Sequence, residues 1–200
     1  MKTSIKNLIA TSLTAIVITS AAFTTSVLAT EKNPITKESS TSFKKIIVKG
    51  NVEVTLIQRQ TEGVSYSDDN TGKAKITQEG NTLKISSTDR DVSKLTVYVN
   101  DLYRIEASEN AVVKTNGKLK SKYLQIFLKD NAFAQITSNT EGLYTVIKDN
   151  ADLKLSGSTD NHTLIMGNTQ KLTIDKFAAL KTNISSVESS DVIETAALIK

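Results

Sequence analysis

The chemistry-bearing residues of this 200-residue chain are few and scattered. There is no Cys and a single His, His162, so neither a thiolate nucleophile, a Cys-ligated metal nor a His-based triad has the parts it needs. His162 falls in the polar stretch Ser156 to Thr163, which reads as a surface loop. Asp89-Arg90-Asp91 is a short charge cluster at a turn and reads as solvated. Paired carboxylates serve glycosidases, and with a basic residue they serve polysaccharide lyases, but no pair here is singled out by spacing. No catalytic residue, cofactor or metal is therefore assigned from the sequence.

Three short segments do recur: Ser108-Glu109-Asn110-Ala111, Lys129-Asp130-Asn131-Ala132 and Lys148-Asp149-Asn150-Ala151. Their asparagines are 21 and then 19 residues apart. Asparagine tolerates the left-handed conformation of tight corners, and its amide can bond an equivalent amide on a stacked neighbour. Asn110, Asn131 and Asn150 are thus expected to form a buried or half-buried structural ladder. The preceding acids, Glu109, Asp130 and Asp149, would repel if stacked; Lys129 and Lys148 beside them relieve that repulsion on a solvated corner. The alternative is a calcium ion held by the carboxylate row.

The elements that position these corners follow from the flanking alternation. Three and five places before each asparagine stand Ala107 and Ile105, Leu128 and Ile126, then Ile147 and Thr145. Three and five places after stand Val113 and Thr115, Ala134 and Ile136, then Leu153 and Leu155. The residues between are mostly polar, so each repeat reads as strand, tight turn and strand with one face inward. A weaker fourth copy places Asn168-Thr169 at the turn, and a fifth places Ser189-Ser190 there between Val187 and Ile193. One such repeat cannot bury its own apolar stripe, whereas stacked repeats about 4.8 Å apart share a core. The expected fold is all-β, a right-handed β-solenoid or β-helix-like stack of about 20-residue coils. A β-barrel or sandwich is the alternative.

By the same phase, Phe127 and Phe133 point outward across one corner. They are either covered by the N-terminal strands or form a contact surface for a partner or sugar.

The first residues set the destination. Lys2 and Lys6 precede the apolar run Leu8 to Ala22, and Val27-Leu28-Ala29 places small residues at the −3 and −1 positions, the pattern of a secretory signal peptide over 1–29. No strongly apolar run reaches the roughly 20 residues that span a bilayer, so no retained transmembrane segment is expected. Residues 30–42 are polar, contain the only proline, Pro34, and read as a tether to a single domain over 43–200. The net charge of +4 owes part to Lys2 and Lys6, and the remaining charges are interleaved, which argues against nucleic-acid binding.

The stretch Phe43-Lys44-Lys45-Ile46-Ile47-Val48-Lys49-Gly50-Asn51-Val52-Glu53-Val54, the strand entry Gly80-Asn81-Thr82-Leu83-Lys84-Ile85, and Leu102-Tyr103-Arg104-Ile105 resemble the auto-transporter adhesin head GIN domain family of exported bacterial proteins. In that family the repeated turn typically reads Gly-Ser, where this chain has Glu109-Asn110, Asp130-Asn131 and Asp149-Asn150. The resemblance implies a β-solenoid-like fold, an envelope or surface location and an adhesive role, and it supplies no catalytic residues. The functional expectation is a non-enzymatic exported binding module whose partner is a glycan, a surface protein or another copy of itself. A polysaccharide-active enzyme and an envelope signalling component are the alternatives.

Overall fold

A computed structural model describes residues 42–167 and 169–186. The expected signal peptide 1–29, nearly all of the tether, Asn168 and the fifth turn copy at Ser189-Ser190 lie outside the described residues. Twelve strands run β1 (Lys45–Gly50), β2 (Val52–Gln58), β3 (Gly63–Tyr66), β4 (Lys75–Glu79), β5 (Thr82–Ser87), β6 (Ser93–Val99), β7 (Arg104–Ser108), β8 (Val112–Thr115), β9 (Leu119–Leu128), β10 (Phe133–Ile147), β11 (Asp152–Met166) and β12 (Lys171–Ser185). Their cause is the period-2 alternation: in β6 the side chains of Ser93, Leu95, Val97 and Val99 are buried, while Lys94, Thr96 and Tyr98 face the other way.

All twelve belong to one mixed sheet, ordered β3-β6-β2-β8-β10-β9-β7-β1-β5-β4, with β11 and β12 added on the far side of β10. The right-handed β-solenoid expected from the repeat is thereby corrected to a curled, open half-barrel, which is closer to the barrel alternative. The N-terminal third is what breaks the uniform stack. There β1 sits between β5 and β7, and β2 between β6 and β8, so chain order and spatial order differ. Antiparallel pairs β3–β6 and β4–β5 then close the ends of the ordered path. The recurring spacing does persist as parallel register, with Ile105 beside Ile126 and Phe133 beside Asp152.

Curling comes from the long strands. Phe133 to Gln135 of β10 pair with β8, whereas Ser138 to Ile147 pair with β9, so a single strand joins two runs of the sheet. Where β11 passes β10, Gly157 has φ +103°, and a Cβ there would lie 1.9 Å from the Ser138 carbonyl oxygen; only glycine fits. The concave side carries the core, with Ile46, Val54, Ile105, Val113, Ile126, Ile136, Ile147, Leu153 and Leu155 fully buried. Each contributes about 1.5–3 kcal/mol relative to an exposed side chain. Among the described residues β12 pairs only with β11, and its Ile174, Leu180 and Ile184 are exposed.

Candidate functional site

The repeated corners are built by the acids. Glu109, Asp130 and Asp149 have φ of 61°, 60° and 56°, while the asparagine after each has no positive φ. Each turn is closed from the alanine N–H to the carbonyl three residues back, as in Ala132 N–H to Lys129 O at 3.2 Å. A positive φ at the first central residue alone is the sign pattern of a type II′ turn, a slot usually held by glycine. Asp130 Oδ2 accepts the Glu109 N–H at 2.9 Å, and Asp149 Oδ2 accepts the Asp130 N–H at 3.0 Å. Lys49 Nζ lies 3.2 Å from Glu109 Oε1. Asn110, Asn131 and Asn150 are exposed, not buried or half-buried; the turns are stacked all the same, with Asn131 N–H donating to Glu109 O at 3.0 Å and Asn150 N–H to Asp130 O at 2.9 Å, while the side-chain rungs run through the carboxylates one residue earlier. These carboxylates face backbone donors, and among the described residues no group of three or more His, Asp or Glu is arranged to hold a metal ion.

The two phenylalanines face outward in different rows. Phe127 of β9 stands between Glu106 and Val146, whereas Phe133 of β10 stands between Val112 and Asp152. Both are half-buried, and β1 lies in the same sheet beside the Phe127 row, not over it. The Tyr144 ring lies 5.7 Å from that of Phe127, and the Arg104 guanidinium sits 3.9 Å above Phe127. Phe133 has only Lys154 Nζ near its ring, at 5.4 Å, among the described aromatic contacts.

A recess of about 360 Å³ opens on the Phe127 side, lined among others by Ile47, Arg104, Glu106, Phe127, Lys129 and Lys148. Glu106 is held by Lys45 Nζ at 2.8 Å and by Arg104 Nε at 2.6 Å. With three cationic side chains and one paired carboxylate in its lining, the recess combines an apolar floor with a positive rim. Phe133 does not line it.

His162 is not on a surface loop. It lies on β11, 1% exposed, with Nε2 2.8 Å from Thr145 Oγ1 and its ring edge-on to Phe177 at 5.5 Å. Burial lowers its pKa below the ordinary histidine value. The stretch read as a loop is strand because β10 and β12 pair with it on both sides, and its polar inward residues bond one another, as Thr140 and Thr159 do at 2.9 Å. The His162 and Thr145 side chains are bonded to each other but are 1% and 0% exposed, so the pair is closed to solvent and packs the core.

One exposed feature escaped the sequence. Tyr123 of β9 is 59% exposed, yet its ring lies against the backbone of Gly142, where an added Cβ would approach Tyr123 Cδ1 to 2.8 Å. Next to it an open trough of about 500 Å³ is lined by residues including Asp101, Lys120, Lys122, Asn139, Glu141 and Asp160. The signal available in the sequence was Gly142 itself, a glycine inside a strand pattern, which marks a close approach to the backbone.

The model of a family described as "Putative auto-transporter adhesin, head GIN domain" matches residues 42–197. Among solved structures, a "putative lipid binding protein" from Parabacteroides distasonis is similar with a TM-score of 0.51 and 13% identity, covering 73% of this chain and 75% of its own. A "putative adhesin" from Parabacteroides merdae is similar with a TM-score of 0.49 and 13% identity, covering 72% of this chain and 73% of its own. None of the curated proteins matches. At 13% identity the Parabacteroides distasonis structure bears on the fold alone.

Proposed function

The chain belongs to the head GIN domain family, and from that premise we propose that it is a non-enzymatic, exported binding module of the adhesin type. In this reading residues 1–29 direct export, 30–42 are a tether and 43–200 form the binding domain. Among the described residues no helix is long and apolar enough to cross a membrane.

The observation that supports this reading best is the recess beside Phe127 on the convex face of the sheet. An apolar floor beside more cationic than acidic side chains suits a surface partner that presents apolar and acidic groups together, and Glu106, the one carboxylate in the lining, is already engaged by Arg104 and by Lys45 from outside it. Rim charges act mainly on the rate of encounter and its salt dependence, whereas the aromatic floor acts on residence time. The test is binding of the mature protein to bacterial cell surfaces as a function of ionic strength, with Lys129→Glu beside the parent chain. Weaker binding of the variant, with a shallower salt dependence, is expected. Identical binding and salt dependence would remove the recess from the account.

A further inference from the structure

We infer that the Tyr123 corner is a second, separate binding site, and that it takes a neutral saccharide. Three observations meet there. The first is the platform: Tyr123 is 59% exposed, a large aromatic surface left open to water. The second is that this ring is held. It rests on Gly142, whose missing side chain is the space the ring occupies, since a Cβ would come within 2.8 Å of Cδ1 and 3.2 Å of Cε1. Ser121 Oγ donates to the Tyr123 carbonyl oxygen at 2.9 Å, and Lys122 Nζ lies 5.5 Å from the ring centroid. A tyrosine so placed offers a rigid, amphipathic face at low entropic cost.

The third observation is the trough beside it. Asp101, Asn139, Glu141 and Asp160 supply acceptors and an amide, and Lys120 and Lys122 supply donors, in an open polar space of about 500 Å³. Its frame is fixed by Gln58, which donates from Nε2 to the carbonyls of Asn100 and Lys120, both at 2.8 Å, and accepts the Lys120 N–H at 2.7 Å. A sugar ring has an apolar C–H face to set on an aromatic ring and an edge of hydroxyls that both donate and accept. A platform flanked by mixed donors and acceptors matches that chemistry. The balance of charge selects among sugars: Lys44 Nζ lies 3.3 Å from Asp101 Oδ2 and Lys122 Nζ 3.8 Å from Glu141 Oε2, so with Lys120 three ammonium groups balance three carboxylates, and a trough without net charge suits a neutral glycan.

This site shares none of its named residues with the Phe127 recess, so the two can fail separately. The experiment is binding of the mature protein to an immobilised panel of neutral and acidic glycans, with Tyr123→Ala, Tyr123→Phe, Gly142→Ala and Phe127→Ser variants checked for folding by circular dichroism. Neutral glycans should bind, with affinity reduced about tenfold or more in Tyr123→Ala and retained in Tyr123→Phe and Phe127→Ser. Gly142→Ala should weaken binding with the tyrosine still present, because its Cβ displaces the ring; an unchanged affinity in that folded variant would refute the platform. Failure of every neutral glycan to bind, a preference for acidic glycans, or loss in Phe127→Ser with none in Tyr123→Ala would overturn the inference. The last result would still leave the recess as a binding surface.

Discussion

Asp130 occupies a backbone conformation that favours glycine and also uses its carboxylate, and substitution separates the two effects. Its φ is 60°, and Oδ2 accepts the Glu109 N–H at 2.9 Å. A residue other than Gly, Asn or Asp in this conformation costs about 1–2 kcal/mol. A charge-assisted hydrogen bond is worth about 1.5–3 kcal/mol when buried, and about 1 kcal/mol is a fair figure at this partly exposed corner. Asp130→Ala loses the bond and incurs the strain, for a destabilisation of about 2–3 kcal/mol. Asp130→Gly loses the bond but relieves what strain aspartate carries, so it should fall within about 1 kcal/mol of the parent. Asp130→Asn keeps both the conformation and an acceptor, and should also stay within about 1 kcal/mol. The assay is urea unfolding followed by circular dichroism, with the midpoints compared at constant slope. Equal losses for Ala and Gly would refute the role given to backbone conformation. A Gly variant as unstable as Ala, with Asn unharmed, would assign the whole effect to the side-chain acceptor.

Three further outcomes follow from the same structure. Ile126→Ala empties a fully buried position and should destabilise by about 2–5 kcal/mol in the same assay. Gly157→Ala forces a side chain into the Ser138 carbonyl, so it should prevent folding or lower the melting temperature well below that of the Gly142→Ala variant, whose obstacle is a movable side chain. His162 has a lowered pKa from burial, so below about pH 6.5 the unfolded chain takes up a proton that the native chain refuses. Stability therefore falls as pH drops through that window, by at most about 1.4 kcal/mol per pH unit from this group, until the native histidine protonates as well. His162→Gln should flatten the slope there; an unchanged slope would show that other groups set it.

The sequence made the strands and their inward faces legible because burial has period 2, and Ile105, Ile126, Val113, Leu153 and Leu155 are core as their spacing implies. It also located the recurring turns, but put the special conformation on the asparagines. The structure puts it on Glu109, Asp130 and Asp149, since the first central position of the turn is the one that must be positive. The sheet's topology was hidden because spacing along the chain says nothing about β1 pairing with both β5 and β7. His162 was misplaced because its polar surroundings resemble a loop, whereas buried threonines satisfy one another across strands. Phe127 and Phe133 looked like one surface; the turn between them sends them to different rows, and only Phe127 reaches the recess.

That separation provides the most direct test of the proposed function. Fluorescently labelled protein, with Phe127→Ser and Phe133→Ser variants verified as folded, would be titrated onto bacterial cells and read by flow cytometry. Saturable binding that falls about tenfold or more in Phe127→Ser and persists in Phe133→Ser is the predicted result. Binding that does not saturate, or that the two variants alter equally, would contradict it.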